Sequence, residues 1–133
     1  MDYMLYAVRI FAVRWSDIVG FYRDITGLPE KFSDEAMGWA EFDPGGPILA
    51  IQRTEPIDEE GAALVGRFLG ISVSVADIDA TYQSLKAKGV EFVEPPERQP
   101  WGGVLAHFKD PEQNIVTLVG TPEPKTWTES WLN

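Results

Sequence analysis

The chain has no cysteine, one histidine and no apolar run near the length of about 20 residues that a membrane-spanning helix needs. Without thiols it can form no disulfide and carry out no cysteine chemistry. The apolar N-terminal stretch 1–11 is interrupted by Arg9 and has no basic leader. We therefore expect neither a signal peptide nor a membrane span, and a cytoplasmic protein.

Positive charge is also scarce, since 11 Lys and Arg face 21 Asp and Glu, giving a net charge of −10. An acidic surface repels phosphate backbones and anionic headgroups, so we expect neither nucleic acid nor a membrane as partner. The same charge attracts cationic ligands, although acidity is also a common means of staying soluble. The 133 residues, 44% of them hydrophobic, suit one globular domain over 1–133.

One order of elements occurs twice along the chain. The first copy has a strand at 5–13, a helix with Ser16 as N-cap and Gly27 at its end, and strands at 30–33, 37–43 and 47–53. The second copy has a strand at 68–75, a helix capped by Asp77 and ended by Gly89, and strands at 91–94, 103–109 and 114–120. This repetition predicts an α+β fold of two tandem βαβββ modules.

The predicted boundaries follow the change in composition between the two copies. The first module covers 4–54, and the polar, acidic stretch 55–66 is the linker. The second module covers 67–121, and a C-terminal tail over 122–133 carries Trp127 and Trp131.

Three phrases of the sequence carry a resemblance: FYRDITGLP at 21–29, LKAKGVEFVEPPE at 85–97 and FKDPEQNIVTLV at 108–119. Together they resemble the vicinal oxygen chelate superfamily, which includes glyoxalase I, bleomycin-resistance proteins and extradiol dioxygenases. The third is similar to the F-x-D-P-x-G-N turn of that family, with Gln113 where glycine is usual. The resemblance implies the glyoxalase/bleomycin resistance fold, in which a curved mixed sheet forms a cup-shaped cavity with the helices outside. It also implies a homodimer, as in many members.

Strand alternation predicts which side chains line that cup, because one face of most strands is aliphatic and suits packing on a helix. The other face is smaller or more polar and comprises Ala7, Arg9, Phe11, Trp39, Glu41, Ile48, Ala50, Gln52, Gly70, Ser72, Ser74, Leu105, His107, Ile115 and Thr117. The candidate ligand-binding residues are Arg9, Phe11, Trp39, Gln52, Ser72, Trp101, His107 and Thr117.

By this resemblance, a metal-dependent protein would hold one divalent ion with His, Gln or Glu side chains. These would come from the first and last strands of each module. The matching positions here are Ala7, Ala50, Gly70 and Thr117. Alanine and glycine have no ligating side chain, and threonine is a poor neutral ligand. We therefore predict no metal site of the family's kind and no cofactor. A relocated metal would have to use His107, Glu41, Gln52 or Glu91.

Single residues leave alternatives open. His107 and Glu41 are the catalytic candidates, as an acid–base pair across the cavity, or His107 has only a structural role. Arg9 either binds a ligand carboxylate or phosphate or pairs internally with Glu41. Phe11, Trp39 and Trp101 either stack on a planar ligand or serve as packing residues.

Two functions of different class follow. The first is a metal-free protein, similar to the bleomycin-resistance branch, that binds or sequesters a small aromatic or cationic molecule in the cup. The second is a superfamily enzyme, a lyase, isomerase or dioxygenase, that uses a relocated metal or the pair His107 and Glu41. We favour the first, because a fold alone assigns no reaction.

Overall fold

A computed structural model of the chain describes residues 2–55 and 59–120. The predicted tail over 122–133 lies outside the described residues. The chain divides into two compact units, one of Met1–Leu69 with Pro111–Asn114, and one of Gly70–Asp110 with Ile115–Asn133. Each unit is built around one sheet and one longer helical segment, as the repeated pattern predicts.

The first unit contains a four-stranded sheet. Along the chain its elements are strand β1 (Ala7–Ala12), helix α1 (Trp15–Gly20), a π-helical segment (Phe21–Ile25), and strands β2 (Glu30–Asp34), β3 (Trp39–Phe42) and β4 (Ile48–Arg53). The strand order is β1-β4-β3-β2, with β1 parallel to β4 and the other pairs antiparallel. The predicted βαβββ order of the first copy is confirmed.

The helical segment covers one face of this sheet. Its buried side chains meet those of the aliphatic strand face, and together they are Ile10, Ala12, Ile18, Val19, Tyr22, Ala40, Phe42, Leu49 and Ile51. The Tyr22 and Phe42 rings lie 6.4 Å apart between centroids, and the Trp15 indole N–H donates to the Ile51 carbonyl at 2.9 Å. Burial of this apolar face is the main stabilising contribution that holds helix to sheet.

The start of α1 differs from the prediction that Ser16 is its N-cap. The helix begins at Trp15, and its cap residue, Arg14, makes no side-chain cap bond. The Glu112 carboxylate instead accepts hydrogen bonds from the backbone N–H groups of Val13, at 2.8 Å, and of Arg14. Ser16 was the wrong residue because the acceptor comes from a position about 100 residues further along the chain.

The turn after residue 110 also anchors Gly66 and β1. The Asn114 side chain is fully buried; its Oδ1 accepts from the Gly66 N–H at 2.9 Å, and its Nδ2 donates to the Phe11 carbonyl at 3.4 Å. Gln113, at the family's glycine position, has φ 72°, the only positive φ of a non-glycine residue in the described part of the chain. This turn therefore stabilises the fold.

The predicted linker over 55–66 is not wholly irregular. It contains a short helix α2 (Glu59–Ala62), of which Gly61 is buried. Sequence reasoning missed this helix because its four residues are polar or small and show no apolar periodicity.

The second unit repeats the plan with a five-stranded sheet. The elements of this sheet and its helix are β5 (Phe68–Ser74), of which the part from Gly70 onward belongs to the second unit, α3 (Ile78–Ala87), β6 (Glu91–Phe92), β7 (Glu97–Arg98), β8 (Val104–Lys109) and β9 (Ile115–Gly120). The order is β5-β9-β8-β6, and β7 also pairs with β8. The predicted strand at 91–94 is shorter than expected, and β7 was not predicted. Within the described ranges, no helix is both long and apolar enough to cross a bilayer.

The predicted ends of helix α3 are confirmed. The Asp77 carboxylate accepts from the Ala80 N–H at 3.0 Å, as an N-cap does. Gly89 follows the helix with φ 88°, and Gly27 follows the first helical segment with φ 75°. Both positions use the left-handed conformation that glycine adopts without a steric cost.

Replacing Gln113 by glycine should raise the free energy of unfolding by about 0.5–1 kcal/mol, because a left-handed backbone is costly for a residue with a Cβ. Urea denaturation measures the change. The matched control is Gln83→Gly, at an exposed position inside α3, which should lower stability by about 1 kcal/mol. Two losses of equal size would contradict strain at Gln113.

Replacing Glu112 by alanine should lower the free energy of unfolding by about 2 kcal/mol, because two backbone N–H groups lose their acceptor. Its side chain is only 6% exposed, so water replaces the carboxylate poorly. The control Glu94→Ala removes an exposed carboxylate and should change stability by less than about 0.5 kcal/mol. Similar small changes in both variants would show that Glu112 does not anchor α1.

Candidate functional site

The face of the first sheet opposite its helix collects aromatic and polar side chains. Strand register places Arg9, Ala50 and Glu41 in one row, and Phe11, Gln52 and Trp39 in the next. Phe32 on β2 pairs with Glu41 and extends the first row. The register confirms that the six residues of the two rows share a face. We call the set of Arg9, Phe11, Phe32, Trp39, Glu41, Ala50 and Gln52 the first-unit face.

Glu41 is the centre of a hydrogen-bonded group on this face. The Tyr6 hydroxyl donates to its Oε2 at 2.6 Å, and the Trp39 indole N–H donates to the same oxygen at 2.9 Å. Glu41 is 9% exposed as a whole residue, and this burial removes part of the hydration of its carboxylate. Two donors on one oxygen fix the position of this carboxylate among the aromatic and polar side chains of the face.

These contacts favour the ionised form of Glu41. The hydrogen bond from Tyr6, followed by that from Trp39, holds the pKa of Glu41 below its ordinary value of 4.5. The same contact raises the pKa of Tyr6, because its proton is held by the carboxylate. Glu41 therefore carries a full negative charge at neutral pH.

Arg9 does not neutralise that charge. Its Nη1 donates to Gln52 Oε1 at 3.0 Å, and its guanidinium carbon lies 5.3 Å from the centroid of the Phe11 ring. No ion pair joins Arg9 to Glu41 among the described residues, so the predicted alternative of an internal pair is wrong. The intervening strand, which carries Ala50, separates the two backbones by about 10 Å.

In the second unit the structure brings two of the predicted residues together. His107 and Thr117 are register partners, and His107 Nδ1 lies 2.8 Å from Thr117 Oγ1. Ser72 is exposed on β5, the strand next to the one that carries Thr117. Trp101 is 45% exposed in the turn between β7 and β8. Glu41 lies in the first unit and His107 in the second. The acid–base pair predicted for these two residues stays a prediction.

The four positions that correspond to the family's metal ligands do not fit a divalent ion. In the first unit, Ala7 and Ala50 lie on β1 and β4 and present methyl groups. In the second, Gly70 has no side chain, and the Thr117 hydroxyl is engaged with His107. Gly70 also has φ 67°, a conformation in which a ligating histidine would be strained. The donor chemistry of these positions is unlike that of a transition-metal site.

The residues proposed for a relocated metal are engaged elsewhere. Gln52 accepts from Arg9, and the Glu91 carboxylate lies 3.3 Å from the Lys109 ammonium. Over 2–55 and 59–120, no three His, Cys, Asp or Glu side chains group closely enough to hold an ion. The described residues thus give a relocated metal no support.

Sequence reasoning missed two residues of the site. Tyr6 precedes the regular part of β1, so strand alternation did not place its hydroxyl. Phe32 is 43% exposed and joins the row of Glu41 because a register shift between Glu30 and Phe32 changes the alternation of β2. An aromatic residue on an exposed edge strand was the only sequence signal for it.

Known proteins share both this fold and this sequence pattern. The family model of the glyoxalase/bleomycin resistance protein/dioxygenase superfamily matches residues 7–118. The chain belongs to this superfamily. The α+β fold with sheets of four and five strands is accordingly the glyoxalase/bleomycin resistance fold, as predicted.

Several known proteins are similar to the chain over most of its length. The uncharacterized protein YraH of Bacillus subtilis (strain 168) is 32% identical over 123 residues, which are 86% of this chain and 95% of YraH. A superfamily member from Sphaerobacter thermophilus DSM 20745 is 29% identical, with a TM-score of 0.74 over 90% of this chain and 98% of that one. TnmS3, an antibiotic binding protein from Streptomyces sp. CB03234, is 20% identical, with a TM-score of 0.71 over 91% and 97%.

Replacing Tyr6 by phenylalanine should raise the pKa of Glu41, because the phenol hydrogen bond is the largest cause that lowers it. A ¹³C NMR titration of the side-chain carboxyl carbons measures this. The pKa of Asp24, which Arg23 holds low, should not move and is the internal control. An unchanged pKa of Glu41 would contradict the contact.

The same variant has a pH-dependent effect on stability. A folded-state pKa below 4.5 means that ionised Glu41 stabilises the fold above that pH, and that the contribution is lost as pH falls through the folded pKa. The stability difference between Tyr6→Phe and the parent should therefore be largest near neutral pH and shrink in acid. A difference independent of pH would assign the effect of Tyr6 to packing.

Proposed function

We propose that the protein binds, and so sequesters, a small aromatic or cationic molecule on the first-unit face without help from a metal ion. The observation that carries this proposal is the arrangement around Glu41. Tyr6 and Trp39 fix an ionised carboxylate, and half-buried or exposed rings surround it on the face that the helix does not cover.

The aromatic side chains supply the apolar part of such a surface. Phe11 and Trp39 are half-buried and stand in the same row, separated by Gln52. Rigid rings bury a large area at a small cost in conformational entropy, and they stack on planar ligands. Phe32 adds a third ring on the neighbouring edge strand.

The polar side chains supply orientation and specificity. Arg9 and Gln52 hold each other, and Trp39 and Tyr6 hold Glu41, so these groups are already in place before a ligand arrives. A few positioned polar groups among rings are typical of small-molecule sites. The net charge of −10 favours the approach of cationic molecules over anionic ones.

Two further observations support binding over metal-assisted chemistry. The alanines at 7 and 50 and the glycine at 70 offer no side-chain ligand where metal-dependent members have one. TnmS3, which has the same fold, is an antibiotic binding protein. The similarity to TnmS3 supports small-molecule binding as the class of function. The type of ligand is inferred from the residues of this chain.

Purified protein should respond to a panel of aromatic and cationic compounds by tryptophan fluorescence quenching and a raised melting temperature. The variant Trp39→Phe should lose most of the quenching, because Trp39 lies on the first-unit face. Binding should persist after dialysis against a chelator, and mass spectrometry should recover the ligand unchanged after long incubation. A panel without any response would count decisively against the proposal.

An enzyme of the superfamily is the second candidate, and the contact of His107 with Thr117 favours it. A hydroxyl 2.8 Å from Nδ1 orients an imidazole, as general acid–base catalysis requires. This candidate predicts turnover of a bound compound that His107→Gln abolishes while binding remains. It also allows a stoichiometric metal, measured by elemental analysis, that the same variant loses.

A further inference from the structure

We propose that the ligand carries a positively charged group, an ammonium or a guanidinium, which pairs with Oε1 of Glu41. The inference rests on the proposed binding function and names the class of molecule that the first-unit face selects. Glu41 is then the residue that determines specificity for charge, and the rings determine shape.

The two oxygens of the Glu41 carboxylate have different surroundings. Both hydrogen bonds, from Tyr6 and from Trp39, are made to Oε2. Oε1 has no hydrogen-bond partner within 2–55 and 59–120, although the residue is more than nine-tenths buried. An ionised carboxylate can accept hydrogen bonds at both oxygens, so Oε1 is available to accept one from a ligand.

Oε1 is nevertheless accessible. No side-chain nitrogen or oxygen among the described residues is both fully buried and without a partner. Oε1 therefore retains contact with solvent. The restricted exposure matters, because partial withdrawal from water strengthens an ion pair with whatever donor arrives.

The neighbouring cations leave the charge of Glu41 uncompensated. Lys31 contributes a weak attraction to Glu41, but it forms no ion pair with it among the described residues. Arg9 is directed to Gln52 and Phe11. A partly buried carboxylate without a counter-ion is a favourable site for an added cation.

The rings beside Glu41 favour an organic cation over a simple ion. Trp39 and Tyr6 touch the carboxylate through their polar atoms, and Phe32 is its register partner. Aromatic faces attract ammonium and guanidinium groups, and they also bury the carbon atoms attached to them. A hydrated metal ion gains nothing from such rings, and one carboxylate is too few ligands to hold it.

Three probes of one shape test the inference. 1-Naphthylmethylammonium is the cation, 1-naphthalenemethanol its neutral isostere, and 1-naphthoate the anion. An NMR titration that follows the Trp39 indole N–H, assigned with Trp39→Phe, gives the dissociation constants. We expect the cation to bind about tenfold more tightly than the alcohol, because the charge-assisted bond is lost in the neutral compound. Naphthoate should bind more weakly still.

Glu41→Gln removes the charge with little change of shape and should reduce the cation-to-alcohol preference from about tenfold to about one. Binding of the alcohol should change by less than about threefold. Glu94→Gln, which removes an exposed charge from the second unit, should keep the preference and controls for net charge. A preference that survives in Glu41→Gln, or equal affinities in the parent protein, would overturn the inference and leave binding intact. If none of the three probes shifts the Trp39 signal, the proposed binding function fails together with it.

Discussion

Strand alternation gives the four-stranded sheet two chemically different faces, and the rest of the first unit depends on that division. The aliphatic face, with Ile10, Phe42 and Ile51, is buried under the helical segment and stabilises the fold. The opposite face does not pack against the helical segment, and it carries Arg9, Glu41 and aromatic rings. The same four strands thus hold the fold together and position a set of polar groups on the opposite face.

The backbone plan was predictable because its signals are local. The signals that predict it act within a few residues: strand alternation, helical spacing, the Asp77 cap and the glycines at 27 and 89. The same order of elements also occurs in both modules. The cap on α1 was not predictable, because Glu112 reaches it from a distant turn. The two-residue strand β7, which follows two prolines, is too short for any periodicity to show.

For the candidate site, most of the residues were predictable from the sequence, but their contacts were not. Alternation placed Arg9, Trp39 and Glu41 on one face, and the strand register agrees. Strand alternation does not predict which of these groups form hydrogen bonds, because that depends on how far each side chain extends across neighbouring strands. Arg9 turned to Gln52 instead of Glu41, and the Tyr6 hydroxyl reached Glu41 from outside the regular strand. Those two contacts decide where the uncompensated charge lies.

Membership in the superfamily accounts for the fold, whereas the proposed function is inferred from individual residues. Ala7 and Ala50 offer no ligating side chains on the first sheet, while Glu41 is kept ionised by two neutral donors. These residue types are the basis of the proposal that the chain binds its ligand without a metal ion. The first-unit face offers a charged group and aromatic rings for that proposed role.

A crystal structure of protein purified without chelators, with diffraction recorded at wavelengths that reveal transition metals, tests this account most directly. The account predicts density for an organic molecule against Trp39 and Glu41, with a donor atom within hydrogen-bond distance of Oε1, and no anomalous peak among the protein side chains. An anomalous peak for a tightly held metal ion at Ala7, Ala50, Gly70 and Thr117 would contradict it.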